Sequence, residues 1–188
     1  MKTGSQHQDI ETLRNEVHRL TTENDALKKR LSFLEGHETL SAGMRGEKLI
    51  ASMLNGKLTS HTESFDVELP NGVLLEVKSS GLNIPSKTAP TRRWAWGKIF
   101  GEHGAKKFDY LVLVGVVDER YLTSYLDPTS PYVFFVVPYD QVDSLTIKNS
   151  KVRGIQLTTN PSRCTSAASP LFTEYQASVQ QLKERFGL

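Results

Sequence analysis

The residues best suited to chemistry are Asp66, Glu76 and Lys78, within the stretch SFDVELPNGVLLEVKSS. Glu76 and Lys78 lie two apart in the run VLLEVKS. On a strand that spacing points both side chains to one face of the sheet. A carboxylate and an ammonium set in an apolar strand are costly unless they pair or meet a metal. Val73, Leu74, Leu75 and Val77 make both faces of the run apolar, which argues against a simple surface ion pair. Pro70-Asn71-Gly72 is a strong hairpin signal, and a turn there returns Asp66 to the side of Glu76. Two carboxylates converging beside a lysine form a magnesium site with a general-base or water-positioning group.

The elements that must position these groups can be read from the periodicity. A helix is expected from near Ser41 to about Leu54, stopped by Asn55-Gly56. Strand-like segments run from Ser64 to Leu69 and from Val73 to Ser79. Tyr110 to Val117 and Tyr132 to Val137 are near-continuous apolar runs, as expected of central strands covered on both faces. Ser80 to Lys107 reads as mixed loop and helix, and Lys148 to Ser169 as irregular. Tyr139 and Asp140 are expected to open a short helix. A C-terminal helix is expected after Pro170, with Leu171, Tyr175, Val179, Leu182 and Phe186 on one face. The body after Gly36 is therefore an α/β domain spanning 37–188.

This order of residues and elements resembles the PD-(D/E)XK nuclease superfamily, which includes restriction endonucleases and many Holliday-junction resolvases. The matching residues are Asp66 and, after nine intervening positions, Glu76-Val77-Lys78. Glu47, in GMRGEKLIASML, stands where many members carry a further acidic residue. Phe65 stands where the motif name has proline. The resemblance covers about Ser41 to Val137. It implies a restriction-endonuclease-like mixed central sheet flanked by helices, and a catalytic set of Glu47, Asp66, Glu76 and Lys78. It further implies that Asp66, Glu76 and the Val77 carbonyl bind Mg²⁺, with Mn²⁺ expected to substitute. Lys78 would orient the attacking water and stabilise charge on the scissile phosphate, and Glu47 would hold a metal-bound water or a second ion.

A net charge of +2 conceals an uneven distribution. Lys87 to Lys107 holds six basic residues against Glu102 alone. Arg92, Arg93, Lys98, Lys106 and Lys107 are expected to face DNA phosphates. Trp94, next to the two arginines, is expected either to stack on bases or to form, with Ile99 and Phe100, the core face of a helix.

The N-terminal segment carries a different signal. In heptad register, Ile10, Val17, Asn24 and Leu31 occupy the a positions, and Leu13, Leu20, Leu27 and Leu34 the d positions. β-branched residues at a with leucine at d favour a parallel two-stranded coiled coil, and a lone Asn24 at a fixes its register. Asp9 with Arg14, Glu23 with Lys28 and Arg30 with Glu35 make complementary g–e pairs. The competing reading is an amphipathic helix packed on its own domain. Residues 1–36 are thus expected to be an oligomerisation helix, with Leu13, Val17, Leu20, Asn24, Leu27, Leu31 and Leu34 at the seam. The assembly would be a dimer or a dimer of dimers.

Composition narrows the remaining classes. The single cysteine, Cys164, excludes an internal disulfide framework and a multi-cysteine zinc site, and scattered histidines show no zinc spacing. No apolar run reaches the roughly 18 residues of a membrane span. The polar start MKTGSQHQDI reads as lacking a secretory signal, so a cytoplasmic protein is expected. Lys2 is the only basic residue among 1–9, which disfavours a zipper transcription factor with a basic recognition helix. The resulting expectation is a Mg²⁺-dependent DNA endonuclease, restriction-type or homing-type, working as a homo-oligomer. Branched-DNA resolution and an inactive DNA-binding or scaffold protein are the alternatives.

Overall fold

The computed structural model describes residues 11–22, 24–25, 38–60, 63–83, 91–101, 106–117, 126, 130–147, 153–160, 162 and 166–188, with backbone alone for 38–44. The chain divides into two units, Met1–Ser41 and Ala42–Leu188.

In the first unit, residues 11–22 and 24–25 are helical (α1), and every described side chain there is exposed. Leu13, Val17 and Leu20 are 64%, 62% and 50% exposed. Asn24 lies on the same exposed helix. Glu16 accepts two hydrogen bonds from Arg19, of 2.6 and 3.0 Å, an exposed pair that contributes little to stability. Leu27, Leu31 and Leu34 lie outside the described residues.

The second unit is built on a six-stranded sheet in the order β1-β2-β3-β5-β6-β8. Its strands are β1 Lys57–Leu58, β2 Val67–Glu68, β3 Leu74–Ser80, β5 Tyr110–Val116, β6 Tyr132–Pro138 and β8 Gln176–Ala177. β3 and β5 are parallel, and every other neighbouring pair in this sheet is antiparallel. A second sheet pairs β4 (Arg93–Trp96) with β7 (Ile155–Thr158). The helices are α2 (Glu38–Met53), α3 (Tyr139–Leu145) and α4 (Val179–Arg185). The domain is thus mixed α/β, with a central mixed sheet flanked by helices.

The two apolar runs are buried because both faces of β5 and β6 are covered. Leu111, Leu113, Val133, Phe135 and Val137 enter one cluster with Trp94, Trp96, Ile155 and Leu157. Val112, Val114, Phe134 and Val136 enter the other with Ile50, Leu54 and Leu182. The α2 end follows its sequence signal: Asn55 takes the left-handed conformation (φ 51°), and the Gly56 N–H reaches back to the Ala51 carbonyl at 2.8 Å. At the 70–72 turn, Gly72 has φ 83°, its N–H donates to Leu69 O, and Asn71 Oδ1 accepts from the Val73 N–H.

Three segments differ from the sequence reading. Arg93–Trp96 is a strand, not part of a helix: Trp94 and Trp96 alternate with Arg93 and Ala95, the period of two that a strand requires. Residues 155–158 lie in the stretch expected to be irregular, yet Ile155 and Leu157 alternate inward to form the partner strand. The expected single C-terminal helix is broken into a π-helical turn (Leu171–Tyr175), β8 and α4. The break has a local cause. Ser178 accepts from the Gln181 N–H while the Gln181 side chain accepts from the Ser178 N–H, a capping box that starts a new helix at 178.

Candidate functional site

The site begins with the shortness of β2. Its two residues pair with Leu75 and Leu74, and among the described residues the β3 edge beyond Leu75 has no strand partner on that side. The Asp66 N–H donates to Leu75 O at 2.9 Å, which places the aspartate at the point where the ladder stops. Its Oδ2 then accepts the Val77 N–H at 2.9 Å, satisfying a backbone donor that would otherwise lack a partner. The N–H and C=O of one strand residue point to the same edge, so the Val77 carbonyl faces the Asp66 side as well.

β3 alternates. Leu75 and Val77 belong to the cluster with α2, while Glu76 lies level with Leu111 of the opposite cluster. Glu76 is fully buried. It is met by two ammoniums. Lys78, two residues on, donates to Glu76 Oε1. Lys106 Nζ lies 2.5 and 2.6 Å from the two Glu76 oxygens and 3.4 Å from Asp66 Oδ1. Lys78 Nζ is 3.8 Å from Asp66 Oδ2. Two carboxylates and two ammoniums therefore share one small volume. A lone buried carboxylate would cost several kcal/mol, and the two cations offset that cost.

The protonation equilibria follow from this packing. Burial pushes the Glu76 carboxyl above the ordinary carboxylate range, with the Asp66 charge adding to the push and Lys78 and Lys106 opposing it. Burial alone would lower the Lys106 pKa, but its contacts with Glu76 and Asp66 outweigh that and hold it above the ordinary lysine value.

Asp66, Glu76 and Lys78 are thus brought together on the edge-facing side of β3. Lys106 joins them. The sequence reading placed Lys106 on the DNA-facing surface, whereas its ammonium is engaged by the carboxylates. No local pattern marks it, since it lies 30 residues from Glu76 and reaches the site only through the chain's return before β5. Glu47 is half-buried on α2. Its neighbour Gly46 packs so closely on Ser79 that an added Cβ would overlap the Ser79 hydroxyl, which sets the Glu47 backbone beside the C-terminal half of β3.

The expected DNA-facing residues divide. Lys98 and Lys107 are exposed, and Arg92 and Arg93 are half-buried at and just before the start of β4. Trp94 is 0% exposed. Its Nε1 donates to Val116 O at 3.0 Å, and its ring packs 6.0 Å from that of Trp96. The base-stacking expectation for Trp94 is therefore corrected: both faces of the ring are committed to the core, although as part of a strand and not of the expected helix.

Among the described residues, no three His, Cys, Asp or Glu side chains form a metal-holding group. The donors available to a cation are two carboxylates and a backbone carbonyl, and the Lys106 ammonium stands where positive charge is held between them. That donor set fits a hard divalent ion. No described helix is long and apolar enough to cross a membrane. Compared with protein-family models and with curated protein sequences, the chain finds no match.

Proposed function

We propose that the chain is a Mg²⁺-dependent endodeoxyribonuclease of the PD-(D/E)XK type, acting as a homo-oligomer joined through α1. The observation that carries this reading is the convergence of Asp66 and Glu76 on one cationic nitrogen, with Lys78 beside both. Asp66, Glu76 and the Val77 carbonyl would hold the metal. When bound, Mg²⁺ or Mn²⁺ supplies an acidified water and neutralises charge at the phosphodiester. Lys78 would orient the attacking water and donate to the phosphate oxygen on which negative charge develops. Glu47, on α2, would hold a metal-bound water or a second ion, as the resemblance implies. Arg92, Arg93, Lys98 and Lys107 neutralise backbone phosphates and position the duplex.

α1 fits the oligomeric part of the reading. Its exposed Leu13, Val17 and Leu20 stripe suits a second copy, and two active sites held in fixed relation suit cleavage of both strands of duplex DNA. Removing residues 1–36 should lower the mass measured by light scattering, and an unchanged mass would remove α1 from the assembly. Asn24→Leu should raise thermal stability while broadening the oligomer distribution.

The deciding test is incubation with Mg²⁺ of supercoiled plasmid, linear genomic DNA and a synthetic four-way junction, with Glu76→Gln as control. Discrete duplex products would indicate restriction-type or homing-type cleavage, and junction-only products a resolvase. No cleavage of any substrate would favour a second reading, a DNA-binding or scaffold protein. One observation supports that second reading: Lys106 pairs with both carboxylates and offsets their charge.

A further inference from the structure

We infer that a pocket on the other face of β3 is a binding site for a single phosphate group. The pocket has a volume of about 80 Å³, room for a few water molecules or one small oxyanion. It lies at the C-terminal ends of the parallel strands β3 and β5, between α2 and the sheet, and is lined by Arg45, Gly46, Ser79, Gly81, Val114 and Tyr132 among others.

Three donors carry the inference. Arg45 Nε and Nη2 are buried and have no hydrogen-bond partner among the described residues, and the same holds for Ser79 Oγ. Buried polar groups are nearly always satisfied, and N–H groups of a charged guanidinium left without an acceptor are the more costly case. Nε and Nη2 form the side-on edge of the guanidinium, which grips two oxygens of a carboxylate or phosphate at once. The Ser79 hydroxyl offers a third donor, matching a third oxygen. A tetrahedral phosphate meets all three, whereas a carboxylate meets two. No carboxylate lines the pocket. Gly46 is required for this geometry, because any side chain there would collide with Ser79 Oγ. The pocket is too small for a nucleotide, so the ligand is either free phosphate or the terminal phosphate of a strand whose remainder stays outside.

The inference does not rest on the nuclease reading, because the pocket is on the opposite face of β3 and its test is run without metal. The full chain, in EDTA, is titrated with inorganic phosphate while the Arg45 Nε–H resonance is followed by NMR. A saturable shift is expected. Read from the Gly46 and Ser79 backbone amide resonances, which both variants keep, Arg45→Gln should weaken phosphate binding at least about tenfold, and Ser79→Ala, the milder change, about 2- to 10-fold. A matched pair of oligonucleotides, one 5′-phosphorylated and one 5′-hydroxyl, then separates the two sources. A shift with the phosphorylated strand alone identifies a strand terminus, and a shift with inorganic phosphate but neither strand identifies the free anion. An Arg45 resonance unmoved by phosphate, or undiminished binding in both variants, would overturn the inference.

Discussion

On one face of β3, Glu76 and Lys78 meet Asp66 and Lys106, so that two carboxylates answer two ammoniums; on the other, Ser79 and Arg45 line one pocket, and Ser79 Oγ and Arg45 Nε and Nη2 have no hydrogen-bond partner among the described residues. Both faces bury polar chemistry in the same strand, yet one balances its charge internally and the other leaves donors unsatisfied. A balanced cluster can hold its geometry without a ligand, but a ligand of like charge must displace part of it. An unbalanced pocket gains directly from a ligand of opposite charge. On the proposed readings, the same strand would offer an exchange site for a cation on one face and an open site for an anion on the other.

The sharpest way to break the comparison is on the charged face. Lys78→Met should reduce Mg²⁺-dependent cleavage by about 10²–10³-fold, as expected for removing one transition-state donor. Circular dichroism should show the fold retained, and full activity would remove Lys78 from the chemistry. Next in size is Lys106→Met. Losing one partner of a fully buried pair costs about 3–5 kcal/mol, but Lys78 remains and Lys106 is partly exposed, so about 1–3 kcal/mol is expected from urea denaturation. Because the variant vacates the cation position, Mg²⁺ should stabilise it more than the natural protein. Equal Mg²⁺ effects on the two would show that Lys106 does not occupy the metal's place.

Two glycines compare the packing limits of the two faces. A Cβ at Gly115 would come within 2.7 Å of the Trp94 indole, which is held by its hydrogen bond to Val116 O. Gly115→Ala should therefore cost about 2–3 kcal/mol of stability by thermal or urea unfolding. At Gly46 the colliding atom is the end of the Ser79 side chain, which can rotate. Gly46→Ala should cost less, about 1 kcal/mol, and the cost should shrink when combined with Ser79→Gly. A larger loss at Gly46 than at Gly115 would invert this ranking of the two faces.

Much of the fold follows from short-range pattern. The 70–72 turn, the stop at Asn55-Gly56 and the doubly covered strands β5 and β6 all have local causes, and the structure places them within a residue or two of where periodicity does. β4 and β7 were also legible in principle. Trp-Ala-Trp and Ile-Gln-Leu alternate with period two, but two aromatic residues beside basic ones equally suit a helix when no turn bounds them. The capping pair Ser178 and Gln181 likewise marked the start of α4, a signal outweighed by the helical spacing of Leu171, Tyr175, Val179, Leu182 and Phe186.

By itself the sequence determined that Asp66, Glu76 and Lys78 lie at the head of one hairpin, because strand period and turn chemistry act over a few residues. Only the tertiary structure decided that Lys106 completes their charge balance, that Trp94 is core, and that Arg45 and Ser79 share a pocket. Those outcomes join residues 22 to 40 positions apart. They depend on which strand ends early, how closely α2 approaches β3 at a glycine, and which charges burial forces together, and none of these leaves a mark in local sequence.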